Sequence, residues 1–224
     1  MTQSQIQLQD IQSRIAKASV TSGREKDSVK LVAVSKTFDI DDIKPILDLG
    51  QRIFGENRVQ EAQKKWLHLR EAYKGVELHL IGPLQTNKVP EAVALFDVIQ
   101  TLDRPKLLKV LSDEIRKQNA ATKILVQVNI GHEPQKAGVA VEEFDHFIAE
   151  CKQQLGSALI GLMCIPPVDQ DPQPFFLKLK EMANAHDLSV LSMGMSSDFE
   201  AAILAGASHV RVGSAIFGTR PKPI

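Results

Sequence analysis

A single lysine stands at the end of an apolar run near the start of the chain. The run from Leu31 to Thr37 reads Leu-Val-Ala-Val-Ser-Lys-Thr, and four apolar residues in a row are typical of a parallel strand buried on both faces. Lys36 then lies at the carboxyl end of that strand, where ligands bind in α/β proteins. Partial burial favours the free amine of a lysine, which attacks carbonyl groups. The alternative is a lysine whose aliphatic stem covers the strand end while its ammonium group reaches water.

Two loops of small residues follow strand-like segments near the end of the chain. They are Gly194–Asp198 and Gly213–Gly218. In phosphate-binding barrels, the loops after the last two strands commonly hold the anion. Glycine lets the backbone approach a phosphate, and Ser196 and Ser214 could add hydroxyl donors. Alternatively, Ser197 is the N-cap of the next helix and the glycines are ordinary turn residues, but two such loops at this pair of strand ends favour an anion site.

Three more polar side chains are candidates for ligand contact. Arg211 lies between two valines in the last strand-like segment, so it can point into a barrel, where it needs a ligand atom or an ion-pair partner such as Glu56. Asn57 and His79 could hydrogen-bond a ring substituent. An inward histidine, however, is more often a core residue whose hydrogen bonds are already satisfied.

Other kinds of chemistry have little support in the sequence. The six histidines form no HExxH set, and the chain contains no Walker loop, no GxGxxG and no GxSxG motif. Cys151 and Cys164 match no metal or redox spacing and fit reduced thiols. One reactive lysine and one phosphate site remain.

Composition narrows the class of protein further. Of 224 residues, 43% are apolar, and 27 lysines and arginines balance 27 acids, so no net charge favours nucleic acid or an anionic membrane. No apolar run approaches the length of a membrane span. The polar start, Met1 to Asp10, is unlike a secretory signal, and we expect a cytoplasmic protein.

The elements that must position these residues alternate regularly. An opening helix is predicted over Ile6 to Val20, and eight strand-like segments then alternate with helical ones. This pattern predicts a closed (β/α)8 TIM barrel in the α/β class, a single domain over residues 1–224, with a doubly wound open sheet as the alternative. The predicted strands are Leu31–Ser35, Arg52–Phe54, Leu78–Ile81, Val98–Leu102, Lys123–Ile130, Ala158–Ile165, Leu188–Met193 and His209–Val212.

Five motifs in order along the chain resemble those of a known family. The sequence is similar to the pyridoxal 5′-phosphate (PLP) homeostasis protein family, and the likeness runs from about Leu31 to Arg220. The motifs that carry the resemblance are Val34–Thr37, Phe54–Asn57, His79–Lys88, Ser192–Asp198 and Arg211–Gly218.

The resemblance implies a fold-type III barrel like the N-terminal domain of alanine racemase, with PLP held as a Schiff base on Lys36. It also implies phosphate contacts from Ser196, Gly213 and Ser214, with Arg211 near the pyridine nitrogen. We add Asn57 to these expected cofactor-binding residues. Family members are regarded as vitamin B6 regulators or carriers without established catalysis.

A second lysine belongs to the same resemblance. Glu133 and the segment Lys136–Gly138 match the family, in which a second lysine has been considered for PLP transfer. PLP-dependent apoenzymes are therefore expected as partners.

The sequence favours a carrier over an amino-acid enzyme. Alanine racemase adds a C-terminal β-domain and uses a tyrosine of its partner subunit as second base, whereas here the barrel leaves only Arg220–Ile224, and the only tyrosine is Tyr73. Arginine at the pyridine nitrogen would also weaken the electron sink of PLP. We predict a monomeric PLP regulator or carrier. The alternatives are a racemase-like PLP enzyme and a Schiff-base aldolase acting on a phosphorylated sugar.

Overall fold

The computed structural model describes residues 1–218. The predicted tail from Arg220 to Ile224 lies outside this range. The helices longer than one turn are α1 Gln3–Thr21, α2 Ile40–Asp48, α3 Val59–Ala72, α4 Val89–Leu95, α5 Pro105–Gln118, α6 Phe144–Leu155, α7 Gln173–Ala185 and α8 Phe199–Ala205, and α9 is the single turn Ser214–Phe217. The strands are β1 Lys30–Val34, β2 Ile53–Glu56, β3 Glu77–Leu80, β4 Val98–Leu102, β5 Lys123–Asn129, β6 Val139–Ala140, β7 Leu159–Cys164, β8 Val190–Ser192 and β9 His209–Val212.

Eight parallel strands form a closed ring. β1 pairs with β2 on one side and with β9 on the other, and the pairing continues through β3, β4, β5, β7 and β8 back to β9. A doubly wound sheet would leave two open edges, so this alternative is wrong and the predicted (β/α)8 barrel is confirmed. The carboxyl ends of all eight strands therefore open on the same mouth of the barrel.

A ninth strand was not predicted. β6 has only two residues and pairs with Val128 and Asn129 of β5, outside the ring. A 3-10 turn over Val141–Glu143 then leads into α6. Two residues are too few for an alternating pattern to be recognised.

The main core lies between the helices and the outer face of the barrel. Trp66 of α3, for example, is fully buried and packs against Phe54 of β2, with ring centroids 4.7 Å apart. A smaller apolar cluster of Val98, Leu125 and Met163 lies apart from this core. Since successive strand residues face opposite sides, inward positions are free to carry polar groups without disturbing the main core.

Two helix starts differ from prediction. α1 begins at Gln3 rather than Ile6, because Thr2 and Gln5 form a capping box in front of it. α8 begins at Phe199 with Asp198 as the N-cap, so the expectation that Ser197 caps this helix is wrong. The Asp198 carboxylate instead accepts a hydrogen bond from the backbone N–H of Met195, at 2.6 Å, and closes the loop before the helix.

None of the helices within residues 1–218 combines the length and apolar character needed to cross a membrane.

Candidate functional site

A cavity of about 520 Å³ opens at the carboxyl ends of the strands. This volume is within the range of small-molecule sites, and the position is the one where barrels bind ligands. All six residues expected to bind a cofactor line it: Lys36, Asn57, Ser196, Arg211, Gly213 and Ser214. The fold thus brings together Lys36, which follows the first strand, and residues such as Ser214, which follow the last strand.

Lys36 is half-buried in a tight turn just after β1. The next residue, Thr37, has a φ of 69°, a left-handed conformation that is costly for a β-branched side chain. Its backbone N–H donates to Glu61 Oε1 at 2.6 Å, which stabilises the strained turn from α3. Phe38 then stacks on Phe217 of α9, with ring centroids 4.9 Å apart. The backbone around Lys36 is therefore fixed from two sides.

A buried polar cluster lies beneath this turn. Glu56 at the end of β2 is fully buried, and its Oε1 accepts hydrogen bonds from Ser35 Oγ at 2.7 Å and Trp66 Nε1 at 3.0 Å. Lys65 Nζ lies 2.8 Å from the same oxygen and 2.9 Å from Glu61. The cluster joins β1, β2 and α3 directly below the Lys36 turn.

The two carboxylates of this cluster have opposite pKa shifts. Burial raises the pKa of Glu56, and the ion pair with Lys65 and the hydrogen bonds offset this only in part. Burial also raises the pKa of the less buried Glu61, but the hydrogen bond from Thr37 and the interactions with Lys65 outweigh it, so that the pKa of Glu61 is lowered. Glu61 therefore stays a carboxylate, which accepts the hydrogen bond from the Thr37 N–H.

Two hydroxyls and a backbone amide converge at one side of the cavity. Ser214 Oγ lies 3.2 Å from Ser196 Oγ, and the N–H of Gly213 points to Ser196 Oγ at 3.4 Å. A Cβ on Gly213 would lie 3.2 Å from the carbonyl oxygen of Val34, a tight contact, so a glycine here lets the loop lie close to β1 without crowding it. This cluster of donors suits an anion such as a phosphate.

Arg211 of β9 points into the barrel and is almost fully buried. Its NH1 group donates to Ser192 Oγ at 2.8 Å and its NH2 group to the carbonyl of Cys164 at 2.9 Å. The alternative of an ion pair with Glu56 is wrong, because Glu56 pairs with Lys65 on the outer side of the barrel wall. Burial lowers the pKa of Arg211, but a guanidinium group keeps its charge at neutral pH.

Asn57, just after β2, also lines the cavity and has a buried oxygen, Oδ1, with no hydrogen-bond partner among residues 1–218. Gly82 sits directly against it, since a Cβ there would lie 2.3 Å from the carbonyl oxygen of Asn57. An unsatisfied buried oxygen is costly, so this position is suited to a ligand group.

His79 does not belong to this site. Its Nε2 is 2.7 Å from Glu77 Oε1 and its Nδ1 is 2.7 Å from Gln100 Nε2, so both ring nitrogens are satisfied inside the barrel. It lines a second cavity at the other mouth. Of the two interpretations of His79, the satisfied core histidine is correct and ligand contact in the main cavity is wrong.

Two polar residues of β5 were missed. Gln127 and Asn129 both line the cavity and also fix the following loop, since Gln127 donates to the Ala137 carbonyl and Asn129 to the Glu133 carbonyl, each at 2.9 Å. Their signal was present, because two polar residues spaced by two in an apolar strand share one face.

Lys136 of that loop also reaches the cavity. It forms an ion pair with Glu133 at 2.5 Å and donates to the carbonyl of Pro166 at 2.8 Å. Among residues 1–218, the cavity therefore has three cationic side chains on its lining, those of Lys36, Lys136 and Arg211.

The described residues offer no thiolate or metal chemistry. Burial raises the pKa of Cys151 and of Cys164 to about 12, so both are inert thiols at neutral pH. Within residues 1–218, no group of three histidines, cysteines or acidic residues is arranged to hold a metal ion.

Comparison with known proteins agrees with this geometry. The model of the alanine racemase N-terminal domain family matches residues 6–221. The chain is 37% identical to the pyridoxal phosphate homeostasis protein of Escherichia coli strain K12, over 95% of each chain. It is 38% identical to the protein of the same name from Aquifex aeolicus, over 92% of this chain and 94% of that one.

A solved structure is similar over nearly the same range. PipY of Synechococcus elongatus PCC7942, with PLP bound, superposes with a TM-score of 0.79 at 32% sequence identity and covers 91% of this chain and 100% of its own. The barrel is thus shared, over nearly all of both chains, with a protein whose solved structure has PLP bound.

Proposed function

The chain belongs to the pyridoxal phosphate homeostasis protein family, within the wider family of alanine racemase N-terminal domains, and we propose that it binds PLP as a Schiff base on Lys36. The protein then acts in vitamin B6 homeostasis as a regulator or carrier of PLP. One observation supports this more than any other: an amine that can bond an aldehyde and a set of anion donors line the same cavity.

The residues present fit PLP group by group. The hydroxyl of Ser196 lies 3.2 Å from that of Ser214 and 3.4 Å from the backbone nitrogen of Gly213, and these three groups match a phosphate. Arg211 lines the cavity, and its guanidinium, which has five N–H groups, suits the pyridine nitrogen as an acceptor. Asn57, with its unsatisfied Oδ1, lines the same cavity and can receive a donor group of the ligand.

Each residue has a separate task in this proposal. Lys36 supplies the covalent attachment, and the buried cluster of Glu56, Lys65 and Glu61 holds the turn that carries it. The phosphate contacts give most of the non-covalent affinity, because hydrogen bonds to a charged group are the strong ones. When bound, PLP supplies an electrophilic carbon and an electron-accepting ring.

We propose further that the bound protein turns over no amino acid at the rate of an enzyme. The only tyrosine, Tyr73, follows α3 and bonds Asp48 at 2.7 Å, away from the cavity lining. Arg211 is held as a donor, so the ring nitrogen stays unprotonated and the ring is a weak electron acceptor. The alternative is a racemase-like PLP enzyme, since the fold is shared with alanine racemase.

The biological setting remains part of the proposal. We infer a single domain over residues 1–224, a monomer in the cytoplasm, and transfer of PLP to PLP-dependent apoenzymes. The balanced charge of the chain supports a small-molecule rather than a nucleic-acid partner.

The absorption spectrum of the purified protein tests the proposed function. Addition of PLP should produce a visible band that differs from free PLP and is lost in Lys36→Ala. An unchanged spectrum of free PLP in the presence of the wild-type protein would contradict PLP binding. A Schiff-base aldolase for phosphorylated sugars would give no such band and would instead be trapped by borohydride with its sugar substrate.

A further inference from the structure

A chain of hydrogen bonds crosses the barrel interior from Arg211 to the opposite mouth. Arg211 NH1 donates to Ser192 Oγ at 2.8 Å, Ser192 Oγ donates to Gln100 Oε1 at 2.6 Å, and Gln100 Nε2 lies 2.7 Å from His79 Nδ1. His79 Nε2 then lies 2.7 Å from Glu77 Oε1. The chain begins in the cofactor cavity and ends at a second cavity of about 450 Å³.

Hydrogen-bond chemistry gives this chain one direction. Arginine can only donate, so Ser192 accepts from it and has its own proton left for Gln100 Oε1. The amide group of Gln100 then faces His79 with its NH2 end, and His79 Nδ1 must accept. His79 therefore carries its proton on Nε2 and donates it to the Glu77 carboxylate.

The surroundings of His79 and Glu77 support this assignment of the proton. The hydrogen bond with His79 is the largest cause of the lowered pKa of Glu77, which favours a carboxylate at the end of the chain. His209, whose ring centroid lies 5.9 Å from that of His79, is kept neutral because burial lowers its pKa to about 3. Lys30 and Lys123 are the cationic side chains among the described residues that line this second cavity.

The side chains of this hydrogen-bond chain have little freedom to move. Ser192 and Gln100 are fully buried, and His79 is 1% exposed. Ser192 and the Cys164 carbonyl are the two contacts that set the plane of the Arg211 guanidinium within residues 1–218. Without Ser192, the guanidinium would keep a single anchor and could rotate away from its position in the cavity.

We propose that Ser192, Gln100, His79 and Glu77 are positioning residues that orient Arg211 toward the PLP ring from across the barrel. This inference rests on the proposed function, because the role of Arg211 is defined by PLP in the cavity. Ser192 and Gln100 never touch the cofactor in this scheme and act only through Arg211.

The direction of the chain can be tested without cofactor. Nitrogen-15 NMR of the cofactor-free protein should show His79 as the Nε2–H tautomer. The Nδ1–H tautomer would reverse the Gln100 contact and contradict the proposed chain.

The positioning role is tested by a double-mutant cycle on PLP affinity. Ser192→Ala and Gln100→Met should each weaken PLP binding by about tenfold and shift the visible band of the bound form. Their matched controls are Ser112→Ala and Gln51→Met, which remove other buried, hydrogen-bonded side chains and should leave affinity within about twofold. Thermal unfolding checks that every variant is folded, and Ser192→Thr should restore affinity because it keeps the hydroxyl.

The decisive measurement is the PLP affinity of the same two variants when each is combined with Arg211→Met. There, Ser192→Ala should cause no further loss of affinity, because nothing is left to position. An undiminished loss would contradict the inference while leaving the proposed function intact. A wild-type protein that takes up no PLP would instead contradict the proposed function, and the tautomer of His79 would still report on the chain.

Discussion

Lys65 Nζ lies 2.8 Å from Glu56 Oε1, and the two side chains form an ion pair that is almost completely buried. Lys65 also donates to the carbonyls of Ser35 at 3.0 Å and Phe38 at 3.3 Å. These two residues flank Lys36 and Thr37. The ion pair therefore connects the stability of the fold to the position of the reactive lysine.

Loss of Lys65 should be strongly destabilising. Lys65→Met leaves the Glu56 carboxylate buried without its cation, which should lower the free energy of unfolding by about 3–5 kcal/mol. Urea unfolding measures this. Lys64→Met is the control, because Lys64 is its exposed neighbour on α3. The double variant Glu56→Gln with Lys65→Met should recover part of the loss, and equal losses for Lys64 and Lys65 would show that the pair contributes nothing.

His209 should make stability depend on pH. Burial, with smaller effects of His79 and Lys30, lowers its pKa from 6.5 to about 3. At pH 5 the unfolded chain therefore binds a proton that the folded chain excludes. The stabilisation that His209 contributes is present above pH 6.5 and is lost as the pH falls toward 3. Between pH 7 and pH 5 the loss from this group should be about 2 kcal/mol.

Urea unfolding of the wild type and of His209→Gln at the two pH values measures this contribution. The variant should lose less stability than the wild type by that amount. His146→Gln serves as the control, since the His146 side chain is 86% exposed. Identical pH dependence of the wild type and His209→Gln would show that His209 is not held neutral by burial.

Ser196 and Ser214 should contribute to PLP affinity. A hydrogen bond to a charged group is worth about 1.5–3 kcal/mol, so Ser196→Ala should weaken PLP binding by roughly tenfold or more. Fluorescence titration with PLP measures the dissociation constant. Ser157→Ala is a matched control, because Ser157 is exposed and lies outside the cavity lining. Unchanged affinity in both Ser196→Ala and Ser214→Ala would assign the phosphate contacts to the backbone alone.

The loaded protein should not exchange the α-proton of amino acids at an enzyme's rate. Such exchange needs a positioned base and a ring that accepts charge, and Arg211 works against the second requirement. Incubation with L-alanine in deuterated buffer, followed by proton NMR, measures both exchange and racemisation. Rapid exchange with racemisation that disappears in Lys36→Ala would establish the racemase-like alternative.

The sequence predicted the barrel well because its signals are local and repeated. Eight apolar segments separated by helical patterns in a chain of 224 residues favoured a closed barrel over an open sheet, and the family resemblance implied the same barrel. The positions of Lys36 and Arg211 in the cavity followed from strand ends and alternation. Strand alternation depends only on backbone geometry, so it is readable before any tertiary contact is known.

What the sequence could not give were the contacts that join distant elements. Glu56 was considered as a partner of Arg211, but it pairs with Lys65 from the next helix. The contact between His79 and Gln100 was equally hidden, since Gln100 lies on the neighbouring strand and carries no motif. Such pairings depend on strand register and barrel tilt, which no single segment encodes.

Peptide mapping after borohydride reduction tests the central claim most directly. Borohydride reduces the imine that joins PLP to a lysine and makes the attachment permanent, so digestion and mass spectrometry can locate it. The account predicts the pyridoxyl group on Lys36, and on no other lysine to a comparable extent. A label carried mainly by Lys136, whose amine reaches the same cavity, would contradict it.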